Sequence, residues 1–345
     1  MVVSKRHTKL FLILSLIVGG GLMALAIINL EPATLLQTLL DFHPGKVAAL
    51  LAMSLLVHML AAWRWGSFLK FTGAHLTKWR TFWYYLGGFS ISFITPIAQL
   101  GGGPVKALIV NRLEKVPLRS GMVSAFLEVF LEVALDIMLI ALVLPFLFIH
   151  LSLSRRTEWA IGISFAVVAA IFVFLYYEFR NGRGVLTRLI HIFKPGARHQ
   201  KATGPLAESE KLFTDYFSRK NSGGWRGILL TLAIHLGRFT EFGLLFWLLG
   251  LPIDIFAIVA ARIFMNIAYL VPIPGALGVS EWTQGVLFST AFNLSSGVGV
   301  AFSIIFKAKD IIFTLVGLTA LATLAAGPSF KNMGLDLKKL LNGET

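Results

Sequence analysis

The hydrophobic positions of this chain lie in long stretches, not in the alternating or one-sided patterns of a water-soluble protein. The first stretch, residues 10–30, runs for twenty-one residues without a charged side chain, and about 20 apolar residues in a helix cross a bilayer core. Seven more stretches follow, at 47–69, 82–110, 121–149, 159–177, 228–251, 256–292 and 297–326. The pattern predicts an all-α polytopic membrane protein, with a single membrane domain over residues 1–345.

The first stretch has a second interpretation as a cleaved signal peptide, because Ala24, Leu25 and Ala26 resemble a cleavage site. The apolar part of a signal peptide usually has only about 7–15 residues. We therefore predict that the stretch is retained as the first span.

Two of the stretches are interrupted by proline and glycine, which end or break a helix. The interrupting residues are Pro96, Gly101, Gly102, Gly103 and Pro104 in the stretch 82–110, and Pro272, Pro274, Gly275 and Gly278 in the stretch 256–292. Each half of an interrupted stretch is short for a full crossing. We therefore predict two helical hairpins instead of two continuous spans.

Lysine and arginine predict how these hairpins enter the membrane, because they accumulate on the cytoplasmic side. Arg80 precedes the first hairpin, and Arg112 and Lys115 follow it, so both of its ends are predicted to be cytoplasmic. The flanks of the second hairpin, 252–255 and 293–296, contain no lysine or arginine. The prediction is about six full spans plus two re-entrant hairpins that enter from opposite faces of the inner membrane, with both termini cytoplasmic.

The net charge of +14 is explained by this orientation and does not indicate a nucleic-acid partner. Of the 31 lysines and arginines, 22 fall in predicted cytoplasmic stretches, ten of them between residues 180 and 226. We predict that 178–226 is a basic cytoplasmic loop and 327–345 a cytoplasmic tail. The loop either lies on anionic headgroups, with a short helix around 186–193, or is a solvated connector. The chain has no cysteine, which excludes disulfides, thiolate metal sites and cysteine nucleophiles.

An internal repeat is indicated by adding 176 to each residue number from 89 to 142. Thirteen of the 54 aligned positions are identical, including Pro96 with Pro272 and Gly102 with Gly278. The alternative is a chance alignment of two interrupted apolar segments. In the predicted threading the halves, about 10–150 and 158–326, have opposite orientations. Inverted halves with broken helices at matching positions are typical of secondary transporters.

Twelve charged residues fall inside the apolar stretches, where each costs about 2.5–3.5 kcal/mol at a helix centre if it faces lipid. The basic ones are Arg64, Lys106, Arg238, Arg262, Lys307 and Lys309; the acidic ones are Glu128, Glu132, Asp136, Glu241, Glu281 and Asp310. The spacing of Glu128, Glu132 and Asp136 puts them on one helical face. The set predicts a polar seam through the helix bundle, which either carries a polar ligand or only holds helices together through ion pairs.

The hairpins also predict helix starts near the membrane centre. Pro104 is expected at the first helical position with Lys106 one turn on, and Ser280 is expected to cap the other start beside Glu281. Helix starts favour anions such as phosphate or carboxylate. The predicted headgroup site comprises Lys106, Arg238, Arg262, Lys307, Gly101, Gly102, Gly103, Gly275 and Gly278; the predicted coupling residues or polar seam are Glu128, Glu132, Asp136, Glu241, Glu281 and Asp310. Alternatively, the glycines only permit tight packing.

The segment 272–281 resembles the proline-glycine-leucine-glycine-valine-x-glutamate signature of the flippase-like transmembrane region of lysylphosphatidylglycerol synthases and their stand-alone relatives. Arg64 with Trp65, Pro96, and Glu132 with Asp136 are also similar to that family. The resemblance covers residues 10–326 and implies movement of charged or glycosylated lipids between leaflets.

This sequence departs from the family pattern at several charged positions. Gly102 or Gly103 replaces an acidic residue, Lys106 and Lys307 replace arginines, and Val133 replaces another arginine. A lysine keeps the charge but loses the two-point grip of a guanidinium on phosphate. The resemblance implies that in the full-length synthases a soluble aminoacyl-transfer domain follows this region. The present sequence ends nineteen residues after Ala326, so we expect no lipid aminoacylation by this polypeptide alone.

The sequence lacks the motifs of metalloproteases and nucleotide-binding enzymes. We predict no enzymatic activity, cofactor or metal site, and no drive by ATP. The leading hypothesis is a lipid flippase or transporter that carries an anionic or lipid-linked substrate through the seam. A secondary transporter of a soluble solute and a membrane enzyme acting on a lipid-linked substrate are the alternatives. Membrane lipids are the expected partners, and a homo-oligomer is compatible with the sequence.

Overall fold

The computed structural model describes residues 17–22, 24, 43–95, 102–150, 155–181, 203–217 and 224–325, and the regular elements within them are all helical. The helices are α1 (Pro44–Phe71), α2 (Lys78–Ile94), α3 (Gly102–Glu114), α4 (Leu118–His150), α5 (Arg155–Arg180), α6 (Thr203–Phe217), α7 (Gly224–Leu248), α8 (Ile255–Leu270), α9 (Val279–Ala291) and α10 (Ser296–Ala325). Residues 17–22 are also helical. The predicted helical class is confirmed for the described part of the chain.

Three of the described helices are long and apolar enough to cross a membrane. They cover Pro44–Phe71, Glu158–Glu178 and Trp225–Leu248, and the shorter Ile255–Leu270 is also apolar. Helices α4 and α10 are longer, with 33 and 30 residues. Most of the predicted first span, 10–30, lies outside the described residues.

Both interrupted stretches form pairs of separate helices that pack on each other, α2 with α3 and α8 with α9. The turn of the second pair contains a short 3₁₀ helix, Pro274–Ala276. Gly275 and Gly278 have φ of 57° and 78° there, a left-handed backbone that favours glycine. The turn of the first pair, including Pro96 and Gly101, lies outside the described residues.

The predicted helix starts within the two pairs are wrong by about one or two residues. Helix α3 begins at Gly102, so Pro104 is its third residue, still within the first turn, where a missing N–H costs nothing. Helix α9 begins at Val279 after Gly278, and Ser280 is not its cap. Instead, Glu281 reaches back and accepts the Gly278 N–H at 2.8 Å.

Helices α1 and α7 pack against each other at the centre of the bundle. Helix α1 packs on α2 and α4, as α7 packs on α8 and α10. The contacts of α3 with α2 and α4 correspond to those of α9 with α8 and α10. Across the centre, α2 packs on α10 and α8 packs on α4. The helices thus form two groups of four, α1–α4 and α7–α10. The last helix of each group packs against the hairpin of the other group.

Helix α6 lies within the predicted basic loop and packs on α4 and α5. Its buried Phe213 and Tyr216 contact aromatic rings on α1 and α4; Tyr216 meets Phe68 at a centroid distance of 5.5 Å, and Phe213 meets Phe130 at 5.1 Å. Residues 203–217 therefore pack on the bundle, which neither interpretation of the loop anticipated. The helix predicted around 186–193 lies outside the described residues.

Candidate functional site

Helix α4 carries a row of carboxylates, Glu128, Glu132 and Asp136, that we call the acidic stripe. Their four-residue spacing puts them on one face, one turn apart. Basic side chains from α1, α3, α7 and α8 converge on this face. We call these ion pairs around the acidic stripe the seam; of the acidic residues predicted for it, the described structure brings Glu128, Glu132 and Asp136 together on α4.

The first part of the acidic stripe is enclosed. One guanidinium nitrogen of Arg64 on α1, Nη2, is 3.1 Å from Glu128 Oε1 and 3.3 Å from Glu132 Oε2. Lys106 on α3 pairs with the other oxygen of Glu128, and its ammonium lies 5.3 Å from the Trp65 ring centroid. The Arg64 side chain is fully buried and that of Glu128 is 7% exposed.

The second part of the stripe is more open. Arg238 on α7 lies 2.6 Å from Glu132, and Arg262 on α8 lies 3.4 Å from Asp136. Asp136 also lies 3.3 Å from His235 Nε2 and accepts from Asn266 at 3.3 Å. The side chains of Glu132, Asp136 and Arg238 are 22%, 29% and 30% exposed. A ligand can therefore approach the seam at this level.

Arg262 is incompletely paired within the described part of the chain. Its Nη2 reaches Asp136, whereas its buried Nη1 has no hydrogen-bond partner there. The guanidinium also lies over Phe239, 4.5 Å from the ring centroid. A buried donor without an acceptor is costly, and Arg64 Nε is another such donor in the described part of the seam.

A second cluster closes the turn of the second hairpin. Lys307 on α10 lies 2.8 Å from Glu281 and donates to the Ala276 carbonyl at 2.9 Å. Ser280 donates to Glu281, and Ser303 donates to Ser280 at 3.0 Å. Glu281 is fully buried. The cluster holds the hairpin turn through polar contacts. Lys307 pairs with Glu281, whereas Lys106, which was predicted for the same headgroup site, pairs with Glu128.

A third cluster lies on α7 and α10. Lys309 is 2.8 Å from Asp310 and 3.6 Å from Glu241, and Tyr269 donates to Asp310 at 3.4 Å. Glu241 is one turn from Arg238 on α7. The six predicted intramembrane cations thus each have an acidic partner, which agrees with the ion-pair interpretation for this conformation.

The glycines at the start of α3 pack tightly. Gly102 donates its N–H to Ser92 at 2.8 Å, and a Cβ added to Gly102 would lie 2.2 Å from the Gly88 carbonyl oxygen. An added Cβ on Gly103 would meet Ala125 at 3.3 Å. The expectation that these N–H groups are free for a ligand is therefore wrong for Gly102. A side chain at position 102 would prevent the close approach of α2 and α3, which explains why a glycine lies there.

The sequence interpretation missed several contributors to the site. Asn266 bonds to Asp136, which is 130 positions away along the chain, and Ser92 accepts from Gly102 across the turn of the first hairpin. Arg64 was recognised as an intramembrane charge but not as the residue that joins Glu128 to Glu132. The repeat alignment could have indicated Asn266, because it pairs this residue with Ser90, another polar residue. In the structure Ser90 bonds to α10 and Asn266 bonds to α4.

The comparison with known families decides the relationship of this chain. Residues 12–317 match the family described as the lysylphosphatidylglycerol synthase transmembrane region. The chain belongs to this family. The resemblance of the segment 272–281 is thereby confirmed, and the protein is an integral membrane protein.

Two archaeal relatives are similar over most of their length. A UPF0104 membrane protein of Methanothermobacter thermautotrophicus is 23% identical over 300 residues, covering 84% of this chain and 88% of the relative. A UPF0104 membrane protein of Methanocaldococcus jannaschii is 22% identical over 297 residues, covering 83% and 87%. No solved structure matches the chain.

Proposed function

We propose that this family member moves a phospholipid or lipid-linked molecule with an anionic headgroup between leaflets, without ATP. The observation that carries the proposal is the partly exposed half of the seam at Arg238, Glu132 and Asp136, with the buried Arg262 beside Asp136. A headgroup phosphate binds Arg262 Nη1 and competes with the carboxylates for the two guanidinium groups. The acyl chains stay in the bilayer while the headgroup passes along the acidic stripe.

The fold that serves this function is an inverted repeat of two halves, with six full spans and two re-entrant hairpins. The matching helix contacts of the two groups of four support it. So do the equivalent Ser90 and Asn266, which bond to α10 and α4 respectively. Two such halves can exchange conformations, and this exchange opens a central path to each face in turn.

The path is closed at one end in this conformation. Below the buried Arg64, Phe68 packs on Tyr216 of α6, and a Cβ added to Gly227 on α7 would lie 2.1 Å from the Tyr216 hydroxyl. The exposed fraction of the seam side chains rises from Arg64 to Asp136. We therefore interpret α6 as the closure on the side of the basic loop.

Protons or cations supply the coupling in this proposal. Neutralising Glu132 or Asp136 releases Arg238 or Arg262 from its carboxylate, and the freed guanidinium then holds the phosphate. Restoring the carboxylate charge expels the headgroup. The charge state of the acidic stripe thus controls binding, and Arg238 and Arg262 hold the headgroup phosphate.

A leaflet-exchange assay in proteoliposomes tests the proposal. Fluorescent phosphatidylglycerol is exchanged between leaflets, and Arg262→Ala and Glu132→Ala are expected to lower the protein-dependent rate at least about tenfold, since each removes a charge-assisted contact. Arg156→Ala, which alters an exposed arginine at the start of α5, is the control and keeps the parental rate.

Two outcomes would count against the proposal. Unchanged exchange in both seam variants would exclude the seam as the path. Absence of lipid exchange by the parent protein, with uptake of a soluble anion that the same variants abolish, would favour the secondary transporter of a solute.

A further inference from the structure

A groove of about 610 Å³ lies away from the seam, between α2, the end of α3 and the last turns of α10. Its walls are largely apolar, with Trp83, Leu113, Val316 and Leu324 among them. Leu315, next to the groove on α10, is 58% exposed. Within the described part of the chain the groove lies on the outer surface of the bundle, where a membrane protein meets acyl chains.

One end of the groove is charged. Arg80 Nη1 donates to both carboxylate oxygens of Glu114, at 3.1 and 3.2 Å, and the Tyr84 hydroxyl donates to Glu114 at 2.7 Å. Among the described residues, Arg80 uses only Nη1 in hydrogen bonds, and its side chain is 61% exposed. Its Nη2 and Nε are therefore available donors.

The aromatic residues near Arg80 mark the level of the headgroups. Trp79 is 66% exposed and contacts Phe82 and Trp83 through its ring. Tryptophan accumulates where the hydrocarbon core meets the polar headgroups. The groove is apolar along its walls and ends, at this level, in a guanidinium that keeps two donor nitrogens available. These are the two parts that a phospholipid site needs.

We propose that this groove binds one anionic phospholipid, with its phosphate on Arg80 and one acyl chain along Trp83, Leu113 and Val316. Glu114 is the one acidic residue among the described residues that line the groove, and Arg80 already balances its charge, so no unpaired carboxylate there attracts a choline or ammonium group. The bound lipid joins α10 to the hairpin of α2 and α3 from outside. The site is independent of transport through the seam.

Lipid titration of the full-length protein in detergent tests the site. Bound phosphatidylglycerol or phosphatidylcholine is counted by native mass spectrometry. Arg80→Ala is expected to weaken phosphatidylglycerol binding about tenfold through loss of charge-assisted hydrogen bonds, with no change in Arg156→Ala. Ala320→Trp fills the groove and is expected to remove the lipid while Arg80 remains; an unchanged thermal unfolding profile verifies its fold.

A photoreactive side chain at Thr323, on the groove wall, identifies the occupant. Capture of phosphatidylglycerol supports the proposal, whereas capture of residues 326–345 or of a second copy of the chain overturns it. Parental lipid binding by both groove variants, or equal affinity for phosphatidylcholine, also overturns it. None of these readouts measures leaflet exchange, and the seam is unaltered, so the two proposals can fail separately.

Discussion

The ion pair between Glu281 and Lys307 lies at the turn of the second hairpin, so the loss of either side chain is expected to destabilise this turn. Both groups are buried, and removing one partner of such a pair leaves an uncompensated charge, which costs about 3–5 kcal/mol. We expect Lys307→Met to lower the free energy of unfolding by about that amount, measured by denaturant unfolding in detergent micelles.

Two further variants control this prediction. Arg119→Met breaks the exposed pair with Glu208, whose side chains are 50% and 56% exposed, and exposed pairs contribute about 0–1 kcal/mol. Adding Glu281→Gln to Lys307→Met restores most of the lost stability, because the stranded charge is removed. A loss as small as that of Arg119→Met would contradict a buried structural pair.

The apolar stretches predict which charged residues lie within the bundle, but they do not predict which of these residues form ion pairs with each other. The four-residue spacing of the acidic stripe follows from local helix geometry. The contacts of Arg64 with Glu128 and of Arg262 with Asp136 join residues 64 and 126 positions apart. Such pairings depend on how helices are arranged in space, which no short segment encodes.

The broken helices were predictable because proline and glycine act locally, whereas helix α6 was not. Its segment was interpreted from its many basic residues, which indicate a loop. Leu212, Phe213, Tyr216 and Phe217 nevertheless recur at helical spacing and form its packed face. This spacing indicates an amphipathic helix, but the segment was interpreted from its net charge instead.

Gly102 tests how tightly the first hairpin is packed. Gly102→Ala is expected to destabilise the protein by about 1–3 kcal/mol, since the added methyl group would collide with the Gly88 carbonyl and Ser92 Oγ. Gly162→Ala in α5 is the matched control, because an added Cβ there meets nothing within 4 Å. Thermal unfolding midpoints in detergent measure both. Equal midpoints would argue against the close approach of α2 and α3.

The threading of the whole chain can be tested because the sequence contains no cysteine, so each introduced thiol is unique. His75, Lys115, Ile253 and Ser295 are exposed residues that flank the hairpins. Cysteines at 75 and 115 are expected to react with a membrane-impermeant maleimide only from the cytoplasmic side, and those at 253 and 295 only from the opposite side. Labelling of 75 and 115 from different sides would mean that the first hairpin crosses the membrane.

Tyr216 packs on Phe68 of α1 and lies close to Gly227 of α7, so α6 is held against both helices. Any motion that admits water from the loop side must first lift α6 and expose its aromatic rings. In the proposed transport, the free energy needed to expose these rings to water is part of the cost of opening the seam on that side.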